Sequence, residues 1–134
     1  MFSRFGFSQA TYEWTVETDQ FVIGDGTALF RAFYDQAVTF SEPVVVVGRW
    51  NPSTELMSWR NGRLGTPLTV SVPSAINTSN TTTRLGAPSS GTGSGTPWFA
   101  MTFPTVHSNA TVKANIDKLA NAFNVPDVDT SGII

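Results

Sequence analysis

Between Pro97 and Phe123 a hydrophobic period of two gives way to a period close to 3.6. Pro97, Phe99, Met101 and Phe103 alternate with Trp98, Ala100 and Thr102, as in a strand that buries one face. Pro104 ends that strand, because proline has no N–H to give to a ladder. Ser108 or Asn109 can then cap a helix over residues 109–124. Val112, Ile116, Leu119, Ala120 and Phe123 share one face of it, with Lys113, Asp117, Lys118 and Asn121 opposite. Pro126 permits a second, short helix over about 126–131.

Upstream the chain reads as strands and turns. Residues 1–10 are an arm or an irregular lead-in. Tyr12, Trp14 and Val16 alternate with polar neighbours over Thr11–Glu17, and the short apolar piece Phe21–Ile23 meets the turn Gly24-Asp25-Gly26. Another strand is expected over Thr27–Tyr34, completing a meander. The run Val44-Val45-Val46-Val47 lacks alternation and so predicts a strand covered on both faces. Leu56–Arg60 leads into Asn61-Gly62, a strong two-residue hairpin signal. The expected return strand is Pro67–Pro73, with Leu68, Val70 and Val72 on one face and Thr69 and Ser71 on the other. Residues 74–95 hold hardly any apolar anchor, which predicts either a flexible surface loop or one that takes different shapes in different neighbourhoods. Strands over about 11–104 followed by helices make an α+β chain, a single domain spanning residues 1–134.

Composition narrows the chemistry. Only 13% of the residues are charged and the net charge is -2, so no basic footprint for nucleic acid is visible. Without cysteine there are no disulfides and no thiolate metal sites. No apolar run is long enough for a signal peptide or a membrane span, so a soluble chain made in a cytoplasm is expected. His107 is the only histidine and has neither a second histidine nor a cysteine as partner. Asp127, Asp129, Ser131 and Gly132 imitate half of a calcium loop, but the required glutamate does not follow. Gly91, Gly93 and Gly95 are not followed by the lysine of a phosphate loop, and Asn77, Asn80 and Asn109 read as polar loop and cap residues. No carboxylate pair is indicated by spacing. The expectation is a protein without catalytic residues, metal, cofactor or small-molecule substrate.

One resemblance covers about residues 66–134. Met101-Thr102-Phe103-Pro104, the cap Ser108-Asn109, the helix Val112–Phe123, Pro126 and the ending Ser131-Gly132-Ile133-Ile134 resemble the coat proteins of single-stranded RNA bacteriophages, the leviviruses. Leu68–Pro73 looks like the family's strand before its long loop, and Ser74–Gly95 occupies that loop's place. Over residues 1–65 the strand pattern is compatible with the family.

The resemblance implies an N-terminal hairpin, a five-stranded antiparallel sheet and two C-terminal helices in an intertwined dimer. In such a dimer two sheets join edge to edge and each subunit's helices lie across the partner, which covers a sheet that one helix alone cannot. The expected core between partners is Phe99, Met101 and Phe103 against Ile116, Leu119 and Phe123. Homodimers would build an icosahedral shell around genomic single-stranded RNA, in a virion assembled in the bacterial host's cytoplasm, with no membrane. An RNA hairpin would bind the sheet face opposite the helices, repressing translation and marking the genome for packaging. That face would hold Thr69, Ser71, Trp98, Ala100 and Thr102. The family often has a basic residue at the place of Thr69 and a polar amide at that of Trp98. RNA contact is therefore expected to be weak, differently specific, or carried by Arg49, Arg60 and Arg63. Trp98 either stacks on an unpaired base or covers the sheet. Two rivals stand beside this reading: another phage structural module, such as a tail or head-decoration protein, and a monomeric ligand-binding domain.

Overall fold

The computed structural model describes residues 2–4, 14–16, 19–38, 42–78, 83–85 and 102–134, with the strands at 2–4, 14–16 and 83–85 described by their backbone alone. In chain order the elements are β1 (Phe2–Arg4), β2 (Trp14–Val16), β3 (Gln20–Gly24), β4 (Leu29–Phe33), β5 (Val46–Asn51), β6 (Glu55–Arg60), β7 (Arg63–Leu64), β8 (Thr83–Leu85) and the helix α1 (Asn109–Phe123). The chain is mixed α+β, with antiparallel strands in two sheets and one C-terminal helix among the described residues.

Local chemistry explains the best-defined turns. Asn61 and Gly62 have φ of 49° and 85°, the two positive values that a two-residue hairpin needs, and Arg60 faces Arg63 across it. Gly62 is required for space as well, since a Cβ there would run into the backbone of Asp129. At the β3–β4 turn the Asp25 carboxylate accepts from the Thr27 and Ala28 N–H groups and from the Thr27 hydroxyl. Those donors hold its pKa below the ordinary aspartate value. On α1, Ser108 caps the Thr111 N–H at 3.2 Å and Asn124, at φ 49°, closes the last turn on the Ala120 carbonyl.

Packing is in three layers. One sheet runs β5-β6-β7 and the other β4-β3-β2-β1-β8. On one side of the smaller sheet, Val45 and Trp59 meet Val112, Ile116 and Ile133, with Val47, Met57 and Leu119 around them. On its other side, Leu56 joins Phe21, Ile23 and Ala32, flanked by Trp50 and Phe30. Gly48 lets the sheets approach: a Cβ at that position would clash with the Phe21 ring. Trp59, Ile23, Leu56 and Ile116 are fully buried. Each such side chain stabilises the fold by about 1.5–3 kcal/mol through removal of its apolar surface from water.

Residues 125–134 form a strap that runs back along α1. It leaves the helix C-terminus through the Val125 N–H to Ala120 carbonyl bond and ends where Asn109 donates to the Ile134 carbonyl at 2.7 Å. Between those points Asn61 Nδ2 donates to the Pro126 carbonyl and Arg63 to that of Asp127, while the Asp129 N–H returns to the Asn61 carbonyl. The short helix expected over 126–131 is therefore absent. Asp127 sits at φ 54°, outside the right-handed helical region, and the Pro126 and Asp127 carbonyls are taken by the β6–β7 hairpin.

Other expectations also need correction. The single five-stranded sheet is replaced by two sheets, and the five-stranded one joins the four N-terminal strands to β8. The lead-in at 1–10 contributes β1, which lies between β2 and β8, and the expected loop 74–95 supplies β8 at the sheet end. The return strand at 67–73 is reduced to a bridge between Leu56 and Leu68, next to another between Phe33 and Thr66. Ser71, at φ 55°, breaks the pleat, so Val70 is 72% exposed while Val72 is buried. Of the strand expected at 97–103, residues 97–101 lie outside the described ones. Thr102 and Phe103 belong to no strand.

Candidate interaction surfaces

The arginines expected on an open sheet face are each engaged by groups of their own chain. Arg49 lies on β5 with its side chain only 10% exposed, and it joins β5 to β6 and to the start of α1. Its Nη1 donates to the His107 carbonyl at 3.0 Å and to Asn109 Oδ1 at 2.6 Å, and its Nη2 to Glu55 Oε1 at 2.7 Å. The guanidinium also stands 5.1 Å from the centre of the Trp59 ring. It thus lies on the helix-covered side of its sheet. Arg60 grips Asp35 through two bonds of 3.0 and 2.9 Å, a fork matched to a carboxylate. Arg63 donates to the Asp127 carbonyl at 2.6 Å. Register brings Arg60 and Arg63 opposite each other, but Arg49 is apart from them on β5.

Thr69, Ser71 and Thr102 are exposed. Trp98 and Ala100, the other residues expected at an RNA face, and Phe99 and Met101, expected between partners, lie outside the described residues. Among the helix residues expected between partners, Ile116 is fully buried in its own chain, against Val45 and Trp59. Leu119 packs at the margin of that cluster and Phe123 is half-buried. Phe103 is 48% exposed, and its ring lies 4.3 Å from that of His107. With Val106 and Ile134 it gives an exposed apolar surface near the start of α1.

The remaining feature of this surface is an edge. β5 is an end strand of its sheet, six residues long and preceded by Val44 and Val45. Among the described residues its outer side pairs with no strand.

Sequence reasoning missed the polar clamp between α1 and the strap. Lys113 donates to Asp117 and to Thr130, and the Thr130 hydroxyl donates to Asp117 Oδ1 at 2.8 Å. Thr130 and then Lys113 hold the Asp117 carboxyl below the ordinary aspartate value. Asp129 is lowered in the same direction by the Ser131 hydroxyl and N–H, with Arg63 and Lys113 adding to it. The i,i+4 spacing of Lys113 and Asp117 was visible, but nothing in the sequence brings Thr130 to them.

A shallow cavity of about 150 Å³ is lined by Gln36, Val38, Glu42, Arg60, Pro126 and Asp127. Among the described residues no group of His, Asp and Glu side chains could hold a metal ion, and no helix is long and apolar enough to cross a membrane. Comparison with protein-family models, with curated proteins and with solved structures finds no match to the chain.

Proposed function

We propose that this chain is a shell-forming structural subunit, a coat protein of the single-stranded RNA phage kind. In this reading it dimerises and builds an icosahedral particle around genomic RNA in a bacterial host's cytoplasm, and carries out no catalysis. The observation that supports it best is the β5 edge. Six residues with a valine run before them leave one row of N–H and C=O groups without a strand partner among the described residues. Such an edge recruits another strand. Like edges brought together about a two-fold axis form a closed, self-complementary contact.

The apolar surface at Phe103 and Val106 would extend that contact. Ile116 is already buried within its own chain, so the helical contribution to a partner falls to Leu119 and Phe123. The intertwined coat-like dimer is thus proposed with α1 seated on its own sheet and only its margin shared.

RNA binding is part of the proposal in a weak form. Arg49, Arg60 and Arg63 are engaged within the chain and the net charge is -2, so few phosphate contacts are available and the salt dependence should be shallow. Thr69, Ser71, Thr102, Ala100 and Trp98 are left to carry hairpin recognition, with stacking on Trp98 as the main contribution. Expression of the chain alone, followed by electron microscopy and nuclease digestion of the particles, tests the reading. A tail or decoration protein would stay a small oligomer, and a ligand-binding domain a monomer.

A further inference from the structure

Asn61-Gly62 is the single Asn-Gly pair in the chain. Its chemistry is intrinsic to the dipeptide. The glycine nitrogen, unhindered because its residue has no Cβ, attacks the asparagine side-chain carbonyl carbon. A nitrogen–Cγ bond forms, the Cγ–Nδ2 bond breaks, and ammonia leaves with the proton from the glycine nitrogen. Water then opens the succinimide at either carbonyl, giving aspartate or an isoaspartyl linkage. The reaction needs no partner other than water, but it does need Cγ to swing onto the next nitrogen.

In the folded chain that swing is blocked. Asn61 is buried, and its carboxamide is held from both ends: Oδ1 accepts from the Val45 N–H at 2.9 Å and Nδ2 donates to the Pro126 carbonyl at 3.2 Å. Its backbone is fixed too, by an N–H bond to the Val45 carbonyl at 2.8 Å and by the Asp129 N–H on its own carbonyl at 2.8 Å. Two of these four bonds come from the strap. They last only while the strap is docked by Ile133 in the core and by Thr130 between Lys113 and Asp117.

We propose that Asn61-Gly62 is a deamidation site gated by the C-terminal strap, so that opening of the strap is recorded as a covalent change. The product cannot restore the closed state. An aspartate at position 61 has no N–H for the Pro126 carbonyl and sets a carboxylate beside it, near Asp127 and Asp129. An isoaspartyl linkage adds a backbone carbon to a two-residue turn and displaces the Arg60–Arg63 register. Chains whose strap has opened for long are thereby marked and kept open. This inference stands apart from the shell reading and needs no partner.

The test follows the mass gain of the peptide containing Asn61 while the full chain is held at neutral pH, natively and in denaturant. Native deamidation should be more than about tenfold slower than in the unfolded chain, because a gated reaction scales with the open fraction. Thr130→Val, chosen because it keeps shape and removes only the hydroxyl clamp, should speed the native reaction several-fold and leave the unfolded rate unchanged. Asn61→Asp should lower the melting temperature. Equal native and unfolded rates in the unaltered chain would overturn the proposal, as would a native rate insensitive to Thr130→Val in a variant shown to be folded.

Discussion

Replacing Arg49 by methionine separates an internal pin from an RNA ligand. Methionine keeps an unbranched apolar stem but removes the charge that stands over the Trp59 ring, and every donor with it. The His107 carbonyl, Asn109 Oδ1 and Glu55 all lose their partner. Removing one member of a buried ion pair costs about 3–5 kcal/mol. The Glu55 side chain is 25% exposed and can turn toward water, so about 2–3 kcal/mol is expected after that discount. For a chain of this size each kcal/mol moves the melting temperature by a few degrees, so a drop of roughly 6–15 °C should appear in calorimetry. Chemical denaturation should give the same loss without a change in slope. RNA affinity of the folded variant, measured well below its melting point, should not move. Unchanged melting together with lost RNA binding would refute the reasoning and return Arg49 to the surface role that its charge alone suggests.

Four further outcomes are expected. Ile116→Ala should destabilise the chain by about 2–5 kcal/mol in urea, whatever the protein concentration, because Ile116 is fully buried within its own chain; a loss seen only on dilution would place it between partners. Phe103→Ser should spare the unfolding free energy of the single chain and weaken self-association in sedimentation; unaltered association would remove Phe103 from any contact between copies. The lowered carboxyls of Asp117 and Asp129 contribute stability that is present above the unfolded value near 3.8 and lost as pH falls through their lower folded values. Acid melting curves below about pH 4 should therefore be shallower in Asp117→Asn, and identical curves would show that the clamp is not linked to protons. Trp98→Ala should weaken RNA-hairpin binding by about 1–3 kcal/mol with little dependence on salt, whereas undiminished affinity would place the RNA site elsewhere.

The sequence was most informative where one residue decides one dihedral angle or one face. Asn61, Gly62 and Gly26 take positive φ values that few other residues accept, Asp25 ties its own turn through its carboxylate, and both turns are found at the expected places. One of the two expected caps, Ser108, the Val112–Ile116 face and a helix that ends at Phe123, one residue before the expected 124, follow from capping and a period of 3.6. Pairing between distant segments was not legible. Nothing local tells Phe2–Arg4 to lie between β2 and β8, or Thr83–Leu85 to leave a polar loop and join a sheet. Alternation at 68–72 predicted a strand, but the left-handed Ser71 ends the pattern after the one bridge between Leu56 and Leu68. The arginines show the same limit at the candidate site. Their charge could be read from the sequence, while their engagement by Glu55, Asp35 and the Asp127 carbonyl depends on where those partners fold.

Electron microscopy of the chain expressed alone in bacteria, with nuclease digestion before and after the particles are opened, bears most directly on the proposed role. Closed shells of uniform size containing RNA that becomes digestible only after opening are the predicted result. A soluble, folded chain that remains a monomer or small oligomer at high concentration and carries no protected RNA would contradict it.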